Sequence, residues 1–322
     1  MALTQNRIAL DATVPDAHSG KRLDQSAAEL FPGYSRSRLQ QWIESGELTV
    51  DGRQQTVKHR MIGGERLVLQ AGVEVVGDWV GEDLPLEIVY EDEDILVIDK
   101  PAGLVVHPAA GHEAGTLVNA LLHHDPSLAA LPRCGIVHRI DRETTGLLVA
   151  ARTLEAHTAL VRQLQDKSVW REYEAVVNGL VVRDGRVEAP VGRHPIDRKK
   201  MAVVVGGKPA VTHYTVLQCF RAHSHLRLKL ETGRTHQIRV HMAHIRHPLV
   251  GDPVYGGRVH MPAYCTAGLA EGLRGFTRQA LHAIRLGLMH PRSGEFMGWH
   301  APLPDDMVVL LDLLAEDARI NG

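Results

Sequence analysis

Apolar residues along this chain recur in two rhythms, one helical and one strand-like, and the switches between them outline its elements. From residue 21, Leu23, Ala27, Leu30 and Phe31 fall at helical spacing. Pro32-Gly33 then interrupts, and Ser35 can N-cap a second helix that buries Leu39, Trp42 and Ile43. That helix is expected to end near Gly46, with short strands following around turns at Asp51-Gly52 and Gly63-Gly64. Further on, Ile95-Leu96-Val97-Ile98 reads as a buried strand closed by Asp99-Lys100-Pro101-Ala102-Gly103. Thr153 can cap a helix running to about Lys167, with Leu154, Leu160, Val161 and Leu164 on one side. Residues 171–177 read as a strand with Tyr173, Ala175 and Val177 on one face, and Leu226-Arg227-Leu228-Lys229-Leu230 alternates like a half-buried strand. Residues 1–20 show no clear period and read as a loosely ordered lead-in, and 72–86 as a linker. Strands and helices mix without a regular βαβ rhythm, so the expected class is α+β.

Composition narrows the picture. At 322 residues the chain has room for about two domains, and 44% hydrophobic with 23% charged residues describes a soluble globular protein. No apolar run approaches the ~20 residues of a membrane span, and residues 1–20 lack a basic-then-apolar leader, so a cytoplasmic protein with no membrane partner is expected. Cys134, Cys219 and Cys265 are far apart with no Cys-x-x-Cys pair, which excludes a readable disulfide framework and leaves buried free thiols as the expectation.

The net charge of −2 conceals a segregation of charge. Residues 82–99 hold Glu82, Asp83, Glu87, Glu91, Asp92, Glu93, Asp94 and Asp99 and no Lys or Arg. Residues 221–246 hold Arg221, Arg227, Lys229, Arg234, Arg239 and Arg246 against Glu231 alone. A local positive field can bind phosphates whatever the total charge. Histidine is abundant, at 20 residues, and His241, His244 and His247 are spaced three apart near His223, His225 and His236. Imidazoles at such spacing can ligate zinc. Yet no His-Glu-x-x-His occurs and no acid accompanies the cluster, so core or phosphate-facing histidines and no metal are expected. Phosphate-binding, dinucleotide and serine-hydrolase glycine motifs are all missing from the sequence.

The chemistry concentrates in His138-Arg139-Ile140-Asp141-Arg142-Glu143-Thr144-Thr145-Gly146-Leu147. A carboxylate among cations keeps its charge and serves as nucleophile or electrostatic partner. A salt-bridged loop aspartate before a strand would look the same.

The run resembles the signature His-Arg-Leu-Asp-x-x-Thr-Ser/Thr-Gly-Leu of the RluA-type pseudouridine synthases, with Ile140 in place of Leu. Lys100-Pro101-x-Gly103-Leu104-x-Val106-His107 upstream is similar to that family as well. Within Arg171-Glu172-Tyr173-Glu174-Ala175 the family's active-site tyrosine falls on Tyr173. Within Gly233-Arg234-Thr235-His236-Gln237-Ile238-Arg239-Val240-His241 the apolar wall residue falls on Ile238 and the basic partner of the acid on Arg239. The match extends through residues 246–256. Lys21-Arg22-Leu23-Asp24, Ser35-Arg36-Ser37-Arg38-Leu39 and Gly46-x-Leu48-x-Val50-Asp51-Gly52 resemble an S4 RNA-binding module.

The resemblance implies a catalytic domain over 87–318, a mixed and largely antiparallel sheet flanked by helices, preceded by a small α+β S4-like domain over 21–71. It implies a monomeric, cofactor-free isomerase acting on 23S ribosomal RNA or its large-subunit precursor, at uridines of the helix 69 stem-loop. Asp141 would stabilise or capture the electron-poor carbon, while Tyr173 stacks on the base and helps move a proton. Ile238 would wall the pocket, and Arg239 would hold Asp141 ionised and aimed. Arg139 would fill the space left by the flipped nucleotide. Lys21, Arg22, Arg36, Arg38, Arg198, Lys199 and Lys200 would contact RNA. An RNA-binding assembly factor without catalysis and a zinc hydrolase built on the histidines are the rival readings.

Overall fold

The computed structural model describes residues 7–31, 34, 36–72, 79–108 and 114–322. The chain break expected at Pro32-Gly33, the cap at Ser35, and residues 1–6 and 73–78 of the lead-in and linker lie outside the described residues.

The N-terminal unit contains β1 (Arg7–Thr13), α1 (Leu23–Leu30), α2 (Arg36–Ser45), β2 (Leu48–Val50) and β3 (Arg66–Gly72). Its sheet is antiparallel in the order β1-β3-β2. Leu23 and Ala27 of α1 meet Leu39, Trp42 and Ile43 of α2 over Leu48, Leu67 and Leu69, so the helical stripes do form the core. Beyond α2, Gly46 takes φ 82°, and the turns at Asp51-Gly52 and Gly63-Gly64 also use positive φ. The lead-in corrects an expectation, because β1 is an ordered strand paired with β3 along its length. Residues 9–11 and 13 are exposed, so the strand shows no buried alternation to read; its backbone ladder to β3 holds it.

The second unit runs through β4 (Glu87–Glu91), β5 (Ile95–Lys100), α3 (Leu117–His124), β6 (Thr145–Ala151), α4 (Leu154–Gln165), β7 (Trp170–Asn178) and β8 (Gly185–Glu188). A hairpin, β9 (Val191–Arg193) with β10 (Met201–Val203), precedes β11 (Val211–Cys219), β12 (His223–Leu230) and α5 (Gln237–His244). The chain closes with α6 (Ala267–Gly275), β13 (Leu281–Met289), β14 (Phe296–His300) and α7 (Asp305–Asn321). Nine strands form one sheet in the order β4-β5-β6-β13-β7-β12-β11-β8, with β14 on β13. Among the described strands of this sheet only β6 and β13 pair in parallel, so the sheet is mixed and largely antiparallel, and the fold is α+β.

One sheet face packs Ile98, Leu148, Ala175 and Leu228 against α3 and α5. The other packs Val97, Leu147 and Val149 against α4, and Val176 against α6 and α7. A strand covered on both faces reads as a continuous apolar run, as 95–98 does. Leu226, Leu228 and Leu230 are buried while Lys229 is exposed, which is the alternation expected for β12. Thr153 caps α4, its Oγ1 accepting from Ala156 N–H at 3.1 Å. Within the acidic stretch, Arg152 pairs with Glu91 and Arg292 with Asp94, and His290 Nε2 lies 2.9 Å from Asp92 Oδ2. Of the three thiols only Cys134 is buried, which corrects the expectation for Cys219 and Cys265. Cys219 ends a strand beside a turn, where no layer covers it. Among the described residues no helix is long and apolar enough to cross a membrane.

The core contains titratable groups that set a pH limit. Burial pushes His223 and His282 down to about 4, below the ~6.5 of an unfolded chain. Their folded-state pKa is depressed, so their stabilisation is present above pH ~6.5 and is lost as pH falls toward 4. Each unit of depression is worth about 1.4 kcal/mol per group. Asp99, raised to about 6 by burial and by Glu87, acts in the opposite sense over the same window and offsets one of the two. The thermal midpoint should therefore fall between pH 6.5 and 4.5, and a flat profile in melts across that window would contradict the assignment.

Candidate active site

Asp141 lies on the loop leading into β6, and that loop is pinned from three sides. His138 Nε2 accepts from Val149 N–H at 3.1 Å, which requires an unprotonated nitrogen, and burial keeps the ring in that neutral form. Asp141 C=O accepts from Thr144 N–H at 3.0 Å, closing a turn. Lys100, fully buried at the end of β5, donates to the carbonyls of Pro101 (2.6 Å), Leu104 (3.0 Å) and Arg142 (2.8 Å). Burial lowers its pKa to about 7. Gly103 N–H donates to the same Arg142 carbonyl at 3.0 Å. The Lys-Pro-x-Gly segment and the Asp141 loop are thus one hydrogen-bonded unit.

Arg239, on the first turn of α5 and 5% exposed, donates from Nη1 to Asp141 Oδ2 at 2.9 Å. Its Nε and Nη2 donate to the two oxygens of Asp252 at 2.7 and 2.8 Å, a bidentate pair. Asp252 Oδ1 also accepts from Val254 N–H (2.8 Å) and Tyr255 N–H (3.0 Å). Burial opposes the charge on both partners. The pairing outweighs it, holding Arg239 above and Asp252 below their ordinary pKa ranges. Asp252 therefore anchors the guanidinium and leaves Nη1 to aim Asp141. The Tyr255 ring packs 5.0 Å from the guanidinium, and its hydroxyl accepts from Met201 N–H at 2.9 Å. His236, in a left-handed conformation before α5, lies with Nδ1 2.8 Å from the Tyr255 hydroxyl and Nε2 3.8 Å from Asp141 Oδ1.

Asp141, His236 and Arg239 line a cleft of about 850 Å³, with Tyr173 of β7 and Ile238 of α5 in its wall. Both are nearly buried, at 6% and 4%. Burial raises the Tyr173 pKa, so its hydroxyl is protonated at neutral pH. Arg139 is exposed in the same cleft and makes no salt bridge among the described residues, so it is not the structural ion pair its neighbours could have supplied. The structure thus gathers Asp141, Tyr173, Ile238, Arg239 and Arg139 around one space.

The remaining basic residues lie elsewhere. Lys21 pairs with Glu29 at 2.7 Å, and Arg22 and Arg36 converge on the buried carboxylate of Asp24 at 3.0 and 2.7 Å. Arg38 stands over the Trp42 ring at 5.0 Å. Arg198, Lys199 and Lys200 occupy the β9–β10 turn, where Lys200 is 3.7 Å from Asp197. Among the described residues the histidines do not converge on a common point. His241 is held by Thr212 Oγ1 (2.9 Å) and Ala189 C=O (3.0 Å), and His247 donates to Asn178 C=O at 2.9 Å. Among the described residues one metal-like grouping occurs, Asp92, Asp94 and His290. Its oxygens are already engaged by Tyr90, Arg292 and backbone N–H groups.

Reading the sequence assigned no role to Asp252, Tyr255, His236 or Lys100. The signal for the first two was the Gly-Asp-Pro-Val-Tyr-Gly run at 251–256, an acid and a ring fixed between turn residues.

An anchored carboxylate, backed by a buried arginine, thus opens into the same cleft as a tyrosine. A family model described as RNA pseudouridylate synthase matches residues 94–244, and one described as S4 domain matches 21–66. The chain belongs to the RluA-type RNA pseudouridine synthases and is an isomerase. It is 60% identical over 306 residues, covering 95% of this chain and 96% of the relative, to Ribosomal large subunit pseudouridine synthase D of Pseudomonas aeruginosa. The protein of that name from Vibrio parahaemolyticus is 51% identical over 98% of both chains. The solved structure of Human RNA Pseudouridylate Synthase Domain Containing 4 superposes with TM-score 0.55 at 25% identity, covering 71% of this chain and 93% of that one.

Proposed function

We propose that this enzyme converts uridine to pseudouridine in 23S ribosomal RNA, at the helix 69 stem-loop, acting in the cytoplasm as a monomer and without a cofactor. The observation that carries the reading is the Asp141 carboxylate, fixed through Arg239 on Asp252 and opening into the cleft beside Tyr173. The relatives named for the large ribosomal subunit and the S4 unit support a ribosomal substrate.

The reaction breaks N1–C1′, turns the base and joins C5 to C1′, while C5 loses a proton and N1 gains one. A carboxylate stabilises the electron-poor C1′ electrostatically or by bonding to it. Tyr173 offers its ring to the base and a protonated hydroxyl that relays the C5 proton. Ile238 keeps water out, and Arg139 takes the space of the flipped nucleotide. Lys21, Arg22, Arg36, Arg38 and the β9–β10 turn residues Arg198, Lys199 and Lys200 supply phosphate contacts, which position the protein without reading sequence.

Mapping pseudouridines in ribosomal RNA from a strain lacking this protein tests the reading. Loss confined to helix 69, restored by the wild-type chain and not by Asp141→Asn, is the expected result. An unchanged helix 69 pattern would overturn the substrate assignment.

A further inference from the structure

Among the buried arginines, Arg171 lacks what the others have. Arg239 and Arg278, 5% and 8% exposed, are each gripped by a carboxylate, from Asp252 and Asp306. Arg171 is 7% exposed, yet no carboxylate pairs with it among the described residues, and its Nε is buried with no hydrogen-bond partner. A buried charge without a partner opposes folding, and such groups persist where a ligand completes them.

Its position supplies the ligand. Arg171 precedes Tyr173 by two residues on β7, so both side chains leave the same face, and both line the cleft that holds Asp141. Room has been left for it: a Cβ on Gly233 would stand 2.8 Å from Arg171 Nη1, so the glycine that opens the Gly-Arg-Thr-His-Gln motif accommodates this guanidinium. Its field also reaches the site, opposing protonation of His138 and favouring the Tyr173 phenolate, in each case second to burial.

We propose that Arg171 is an oxyanion subsite of the cleft, binding an anionic oxygen of the target nucleotide. The planar guanidinium fork suits such oxygens. Two oxyanions are available on one nucleotide. Its phosphate carries charge throughout. The uracil acquires charge on its carbonyl oxygens when N1–C1′ breaks and the base keeps the bonding pair. The inference rests on the uridine-isomerising reading of this cleft.

The test compares Arg171→Met, which keeps the apolar stem, with Arg171→Lys, which keeps the charge, using single-turnover tritium release and RNA affinity on one ribosomal transcript. Wild-type and Asp141→Asn proteins run alongside, so a wrong substrate shows as an inactive wild type, separate from any effect at position 171. Arg171→Met should lose at least about 100-fold in saturated rate or in affinity, the scale of deleting one oxyanion donor. Arg171→Lys should recover part of it. The thermal midpoint of the Met variant should hold or rise, because an unpaired buried charge has been removed. A loss confined to the saturated rate places the oxyanion on the base. Weaker affinity, with a salt slope reduced by about one, places it on phosphate. Wild-type rate and affinity in Arg171→Met would overturn the proposal. So would a midpoint lowered by several degrees with activity that lysine does not restore, the pattern of a structural arginine.

Discussion

Asp141→Asn protein should fold, bind RNA and show no measurable turnover. Asparagine keeps the shape of the side chain and removes its charge. The fold tolerates this because the adjacent guanidinium keeps its bidentate pair with Asp252, so no buried cation is left alone. Asp141 is itself 17% exposed in its side chain, which limits the desolvation at stake. Affinity should stay within about threefold, since phosphate contacts dominate RNA binding. The rate should fall by more than about 10⁴-fold, the scale seen when a single reacting group is removed. Tritium release from uridine-labelled RNA, with filter binding on the same transcript, measures both. Appreciable turnover would remove Asp141 from the chemistry.

How much of this was legible in the sequence depends on whether neighbours along the chain or across the fold fix each feature. The stripe Leu39, Trp42, Ile43 and the alternation of 226–230 are local patterns, and both appear as read. The strand β1 is not local in that sense. The side chains of residues 9–11 and 13 are exposed and carry no period, and the backbone of β3, more than fifty residues away, orders the strand. The same division holds in the site. Asp141, Tyr173, Ile238 and Arg239 could be named because each stands in a recognisable motif. Asp252 and Lys100 act by bonding to other segments, and no spacing within a segment announces a partner across the fold. The basic residues of the N-terminal unit were visible as charges, but the buried Asp24 beneath Arg22 and Arg36 emerges only once the helices pack.

Asp252→Ala should damage both stability and activity, in contrast to Asp141→Asn. Removing Asp252 leaves Arg239 with Nε and Nη2 unpaired at 5% exposure, and breaking one side of a buried ion pair costs about 3–5 kcal/mol. For a domain of this size that is a fall of roughly 6–20 °C in the thermal midpoint. The loop at 252–255 also loses the acceptor for Val254 and Tyr255 N–H, so the Tyr255 ring no longer braces the guanidinium. With its anchor gone, Arg239 should cease to aim Asp141, and the saturated rate should drop by about 100-fold or more, the effect of a small misplacement of a reacting group. The pH dependence gives a further check. The Asp252 pKa is lowered in the folded state, because Arg239 and the backbone donors outweigh the burial that opposes the charge. Its stabilisation is therefore complete above the unfolded carboxylate value of ~3.9 and is lost only as pH falls through the lower folded value. Wild-type and Asp252→Ala melts should be far apart at pH 7 and draw together in strong acid, with the convergence starting below pH ~4. A midpoint difference that stays constant down to pH 3 would mean that the carboxylate charge is not what holds Arg239 in place.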